Sequence, residues 1–127
     1  MPRWFVFSGR LSRRRFWLGY LLPLVALLLV ASLFDKALLA AGIAVPDEDG
    51  GIVTALSGLV SLVAMAAAFV KRLHDLDCNG GWVFLIFGVP AAGPVLGLLL
   101  LGLLPGSATE NRFGPAPRFR RRASRPR

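Results

Sequence analysis

Phe16–Phe34, FWLGYLLPLVALLLVASLF, is a run of 19 residues without a charged side chain. As an α-helix it is roughly 28 Å long, close to the ~30 Å hydrocarbon core of a bilayer. The run is longer than a signal-peptide core of about 7–15 residues. Pro23 predicts a kink rather than a break, and Phe16, Trp17 and Tyr20 are predicted to lie at the headgroup level. The run therefore predicts a membrane-spanning helix.

Two more uncharged runs follow, Ile52–Val70 with 19 residues and Trp82–Leu104 with 23. The whole chain is 55% hydrophobic and only 17% charged, with a mean hydropathy of +0.62. Soluble domains carry about 25% charged residues, and disordered chains are poor in apolar residues, so both classes are excluded. The sequence predicts an all-α membrane protein with one domain over residues 1–117, built on apolar segments 16–34, 52–70 and 82–104. An Arg-rich tail over residues 118–127 is predicted to be disordered.

The second run carries small or hydroxyl side chains at helical spacing. Such a stripe lets two helix backbones approach closely within a bilayer. It predicts either a helix contact inside the monomer or a homodimer interface. The residues of this small-residue stripe are Thr54, Ser57, Gly58, Ser61, Ala64 and Ala68.

The third run is interrupted at its centre by Gly88–Pro94, GVPAAGP, a composition that stops helix propagation. It predicts either one kinked crossing or a re-entrant hairpin. Three full crossings divide the basic residues almost equally between the two sides of the membrane. A hairpin instead leaves fourteen of the fifteen Lys and Arg residues on one side, with Lys36 alone on the other. Since basic loops stay in the cytoplasm, we expect a multi-pass protein whose N-terminus and Lys71–Gly81 loop are cytoplasmic.

Three polar motifs border the apolar runs. They are Phe7–Trp17 (FSGRLSRRRFW), Lys71–Trp82 (KRLHDLDCNGGW) and Asn111–Pro117 (NRFGPAP). In this order and with apolar runs between them, they resemble the domain-of-unknown-function 805 family of small bacterial inner-membrane proteins, over roughly residues 4–117. The family pattern has a basic residue, a serine and an aromatic residue where this chain has Cys78, Asn79 and Gly81. The resemblance implies an inner-membrane location and a shared fold, and it supplies no activity.

The first motif joins a helix start to a cationic cluster. Ser12 is predicted to cap the first helix by accepting a backbone N–H. Arg13, Arg14 and Arg15 then lie in the first turn, where the helix dipole disfavours cations and lipid phosphate would offset the cost. They predict an orientation anchor or, together with Arg10 and Arg72, a specific phosphate site.

The second and third motifs carry the remaining ionisable groups. Lys71 and Asp75 are four residues apart and are expected to share a helix face. His74, flanked by Asp75 and Asp77, predicts an interfacial ion network or a proton relay. Asn111–Pro115 predicts a turn, with Asn111 and Arg112 bonded to the two carboxylates if the exit segment is cytoplasmic.

We therefore expect a non-enzymatic inner-membrane module that presents a cytoplasmic polar surface to anionic phospholipid headgroups or to a membrane partner protein. The alternatives are an oligomeric solute or ion conduit and, less favoured, an enzyme that uses His74 and Asp75. No cofactor or metal is expected, and nucleic acid is disfavoured because Phe119 alone interrupts the basic tail. The candidate surface is Gly9, Arg10, Ser12, Arg13, Arg72, His74, Asp75, Asp77, Gly80, Trp82, Asn111, Arg112 and Gly114.

Overall fold

Two long helices and two short ones make up the computed structural model, which describes residues 4–43, 51–89, 92–107 and 109–115. The long helices, Arg13–Ala40 and Ile52–Asp75, are long and apolar enough to cross a membrane by length and composition. The short helices are Trp82–Gly88 and Ala92–Leu103. The all-helical expectation is confirmed for these residues, while the predicted disorder of the tail lies outside them.

The first helix extends beyond its apolar run at both ends. Ser12 stands at the N-cap position, but its side chain makes no capping hydrogen bond, so that part of the prediction was wrong. The start is fixed instead by the neighbouring Leu11, whose N–H donates to the Lys71 carbonyl at 3.3 Å. Farther along, the helix continues through Pro23 after a π-helical turn at Trp17–Leu21. In membrane helices, local π-helical adjustments help to re-satisfy backbone groups that a proline frees.

The first and second helices pack along one another. From the small-residue stripe, Ser61, Ala64 and Ala68 are buried inside the monomer, as are Leu24 and Ala31 of the first helix. These three residues of the stripe therefore serve the intramolecular contact. Their burial leaves these three residues no surface for a homodimer interface, which stays a prediction for the rest of the stripe.

Asp35 caps the second helix from the first. Its carboxylate oxygens accept the N–H groups of Val53 at 3.3 Å and Thr54 at 2.7 Å. These are second- and third-position amides, which a capping side chain normally satisfies. Gly51, at the N-cap itself, has no side chain, and a Cβ there would overlap Asp35. Asp35 follows directly on the first apolar run, lies within the first helix and joins both long helices at this end.

The third apolar run turns back on itself. Its first helix ends at Gly88 and Val89 is extended, within the interruption predicted from GVPAAGP, and its two short helices pack together. A Cβ at Gly93 would overlap the Ile86 carbonyl. Trp82 begins the run just after the second helix ends, and Arg72 of that helix bonds the carbonyls of Leu101 and Leu104. Both ends of the run therefore lie at the same end of the bundle.

Aromatic residues of the first helix lie in the protein core. Phe16 is fully buried and stacks on Phe69, with ring centroids 5.9 Å apart. Tyr20 is also buried, and its hydroxyl lies 2.7 Å from the Lys71 ammonium. The second helix and the hairpin cover this face, so these two rings contact protein. Their level at the headgroups stays a prediction, because burial in the protein does not fix depth in the membrane.

The outside of the bundle is covered by exposed large apolar side chains. They occur on both long helices and on both short ones. Such a continuous apolar surface is costly in water and is what a bilayer solvates. Examples are Leu29, Val30, Leu33, Leu56, Leu59, Phe84 and Leu100.

Candidate functional site

The three sequence motifs converge at one end of the bundle, where the second helix ends. The N-terminal segment and the segment after the hairpin meet there on His74 and Asp75. We call this cluster the polar cap. Its members are Gly9, Arg10, Leu11, Arg72, His74, Asp75, Asp77, Ser107, Thr109, Asn111, Arg112, Phe113 and Gly114.

Asp75 is the centre of the polar cap. Arg10 Nε donates to its Oδ1 at 3.0 Å, and Arg72 Nη1 donates to its Oδ2 at 2.5 Å. The three side chains are 0–4% exposed. Gly106 passes so close that a Cβ there would overlap the carboxylate. Both carboxylate oxygens are thus occupied by guanidinium groups from two separate segments.

Arg72 binds the C-terminus of the second short helix. Besides Asp75, it donates to the carbonyls of Leu101 at 2.7 Å, Leu104 at 2.5 Å and Leu11 at 3.1 Å. The last carbonyls of a helix have no intrahelical partner and carry the negative end of its dipole. The buried guanidinium of Arg72 therefore supplies donors to these carbonyls and places a positive charge at the negative end of the helix dipole.

Two side chains of the first helix bond the other carbonyls at the C-terminus of the second short helix. Trp17 Nε1 donates to the Gly102 carbonyl at 3.0 Å, and Arg13 Nη1 donates to the Leu103 carbonyl at 3.2 Å. Four consecutive carbonyls, Leu101–Leu104, are consequently bonded by side chains. Close approach of Trp17 also requires a glycine, because a Cβ at Gly102 would come within 2.7 Å of its ring.

Arg10 binds the backbone of the segment that follows the hairpin. Its two Nη groups donate to the carbonyls of Ser107 at 2.5 Å, Thr109 at 2.7 Å and Gly114 at 3.2 Å. Asn111 and Gly114 bond each other's backbone across a tight turn. Gly114 has a φ of +122°, which favours glycine. The turn predicted at Asn111–Pro115 is therefore confirmed over its described residues.

His74 does not contact either neighbouring carboxylate in the described structure. Its ring stacks on Phe113 with centroids 3.9 Å apart, and its Nδ1 lies 3.3 Å from the Gly9 carbonyl. Successive helical residues point about 100° apart, so Asp75 is directed to the arginines instead. The predicted proton relay requires the His74 ring to lie beside the carboxylate of Asp75 or Asp77. That part of the prediction was wrong, because the ring contacts Phe113 and Gly9 instead.

The other predicted pairings are partly found. Arg112 Nε lies 3.4 Å from Asp77 Oδ1, with both side chains more than half exposed. Asn111 was wrongly assigned to a carboxylate, because its amide donates to the His74 carbonyl at 2.8 Å and to Ser107 Oγ at 3.2 Å. Lys71 was likewise expected beside Asp75, but it turns to Tyr20.

Three further predicted residues border the network. Gly80 lies under His74, where a Cβ would approach Nε2 at 3.0 Å. Trp82 starts the first short helix with an exposed side chain, and Ser12 is half-buried at the start of the first long helix.

Four residues in or beside the polar cap were not predicted: Leu11, Ser107, Thr109 and Gly106. The first three contribute backbone carbonyls to the arginines, and Ser107 also donates its N–H to the Asp75 carbonyl at 2.8 Å. Backbone acceptors leave almost no residue-type signature, so the sequence offered no sign of them.

Comparison with known proteins reveals one family. Residues 4–115 match the family model described as Protein of unknown function (DUF805). Inner membrane protein YhaH of Escherichia coli K12 is 31% identical over 116 residues, covering 89% of this chain and 88% of that protein. Inner membrane protein YhaI of the same strain is 30% identical, covering 89% of this chain and 86% of that protein. No solved structure is significantly similar to this chain.

Proposed function

This chain belongs to the DUF805 family and lies in the inner membrane, and from that premise we propose that it is a non-enzymatic module whose exposed arginines beside the polar cap dock on anionic phospholipid headgroups at the cytoplasmic face. One observation carries the proposal. Apart from Arg112, which pairs with Asp77, the arginines at this end fall into two classes: those buried in bonds to protein and those that remain exposed.

Arg10 and Arg72 form the first class. Their guanidinium groups bond Asp75 and six backbone carbonyls. The phosphate site that joined them to Arg13–Arg15 is therefore not part of the proposal, since their donors are already used within the protein.

Arg13, Arg14 and Arg15 form the second class. All three are exposed in the first turn of the first helix, and only Arg13 has a described side-chain bond, to Leu103. Cations in a first helical turn are opposed by the helix dipole. An anionic leaflet offsets that cost and contributes about 1 kcal/mol for each nearby basic residue. Headgroup phosphates are the partner that fits.

The proposed topology follows from the polar cap. The N-terminal segment, the end of the second helix and the segment after the hairpin bond one another, so we assign them to one side of the membrane. This assignment leaves Lys36 alone among basic residues on the opposite side, as the positive-inside rule favours. The hairpin helices, roughly 10 Å and 18 Å long, are too short to span ~30 Å separately. We propose that the hairpin is re-entrant and both termini are cytoplasmic.

A reporter fused after Arg127 tests this topology. We expect a fluorescent protein that matures only in the cytoplasm to be bright, and alkaline phosphatase, which requires the periplasm, to be inactive. The control places each reporter after Gly42, at the opposite end of the first helix, where the outcomes should be reversed. An active C-terminal phosphatase would contradict the re-entrant arrangement.

Native mass spectrometry of the detergent-solubilised protein tests headgroup docking. We expect the wild type to retain phosphatidylglycerol over phosphatidylcholine. Changing Arg13, Arg14 and Arg15 to Gln should lower that preference at least tenfold, since about 3 kcal/mol of attraction is at stake. Changing the same three residues to Lys keeps the charge and is the matched control. A preference unchanged by the Gln variant would assign this surface to a partner protein.

The remaining alternatives have less support. A conduit formed through the small-residue stripe requires Ser61, Ala64 and Ala68 on the outside, and they are buried. An enzyme using His74 and Asp75 requires those side chains to act together, whereas Asp75 is held by two arginines and His74 by Phe113.

A further inference from the structure

The N-terminal segment Trp4–Gly9 leaves three large apolar side chains without cover. Phe5 is 56% exposed, Phe7 46% and Val6 39%. The segment is not helical, and it is fixed at both ends. Trp4 stacks on Tyr20 with centroids 5.3 Å apart, while Arg10 and Leu11, just beyond the segment, are bound into the polar cap.

These two attachments set the depth of the segment. Arg13 lies at the start of the first helix, and Tyr20 is seven residues farther along, or roughly 10 Å down the axis. Because Trp4 lies against Tyr20, the chain runs back beside the helix from the cap toward the apolar part of the bundle. Phe5, Val6 and Phe7 lie between the two levels.

We propose that Phe5, Val6 and Phe7 insert into the boundary between headgroups and acyl chains of the same leaflet that the polar cap faces. Apolar and aromatic side chains bind that boundary at roughly 5–10 Å depth, which agrees with the level of Tyr20. A non-helical backbone needs water for its N–H and C=O groups, so the segment cannot lie in the hydrocarbon centre. The bilayer is what covers these three side chains, because the segment is attached to a membrane-embedded helix whose outer surface is also apolar.

This insertion is separate from headgroup docking, because it uses apolar side chains and does not depend on lipid charge. Spin labelling distinguishes the two. Phe5→Cys and Phe7→Cys, each in a Cys78→Ala background, carry a nitroxide and are reconstituted in phosphatidylcholine vesicles with and without phosphatidylglycerol. Collision with oxygen and with a water-soluble nickel chelate then gives the depth of each label. Glu110→Cys, on the exposed rim of the polar cap, is the matched control.

We expect the Phe5 and Phe7 labels to lie roughly 5–10 Å below the phosphates in both lipid mixtures, and the Glu110 label to lie in water. Labels at Phe5 and Phe7 as accessible to the chelate as Glu110 would overturn the proposal. Spin–spin broadening that disappears on dilution with unlabelled protein would assign the segment to a second copy and overturn it as well. Val6→Cys replaces either variant that fails to give a monodisperse protein, and the same depths are expected there.

Discussion

Asp75→Asn lowers the free energy of unfolding by about 3–5 kcal/mol, the range observed when one partner of a buried ion pair is removed. The amide that replaces the carboxylate carries no charge, and its NH₂ group faces a guanidinium instead of accepting from it. Two buried cations, Arg10 and Arg72, then remain without a counterion in the cap. A denaturant titration in detergent, followed by circular dichroism, measures the loss.

Asp77→Asn is the matched control. It makes the same chemical change two residues away, in an ion pair whose side chains are 53–61% exposed. Exposed pairs contribute about 0–1 kcal/mol, so the control should unfold close to the wild type. Similar losses for the two variants would contradict a central role for Asp75, because the network would then add no more than a surface contact.

Apolar runs were enough to predict the two long helices and the interruption of the third run. The reason is that length and hydropathy are local properties, and a bilayer selects on both. The same runs did not say which side of each helix faces protein. Phe16 and Tyr20 look like interfacial aromatics from position alone, but their surroundings come from the second helix and the hairpin, far away in sequence.

Many residues of the polar cap were predicted, but few of the hydrogen bonds and ion pairs between them were. The three motifs supplied Arg10, Arg72, Asp75 and Arg112. Which carboxylate binds which cation depends on the direction of side chains around the helix end, and a spacing of four residues misassigned Lys71. The carbonyls that satisfy Arg10 and Arg72 belong to the backbone, so residue types could not identify them. Asp35 was missed for a related reason, since its partners are backbone amides of another helix.

Arg72→Lys separates charge from geometry within the same network. Lysine keeps a cation that can face Asp75, but its single ammonium cannot also reach the carbonyls of Leu11, Leu101 and Leu104. Each lost hydrogen bond to a charged donor costs about 1.5–3 kcal/mol. New bonds from the lysine ammonium or from water to the same carbonyls recover part of that cost. We therefore expect a loss of about 3–5 kcal/mol in the same titration. Arg14→Lys, in the exposed first turn, is the control and should lie within about 0.5 kcal/mol of the wild type.

Hydrogen exchange on Arg72→Lys then identifies what the lost bonds were holding. Amides of Leu104 and Ser107, which are bonded to Leu100 and Asp75, should exchange faster first, because the C-terminus of the hairpin has lost its cap. Val53 and Thr54, bonded to Asp35 at the opposite end, should keep their protection until the whole bundle unfolds. If Arg72 only balanced the charge of Asp75, the lysine variant would be as stable as the wild type and neither end would change. A local opening confined to the hairpin exit instead means that the guanidinium, by its shape, closes the third apolar run onto the second helix.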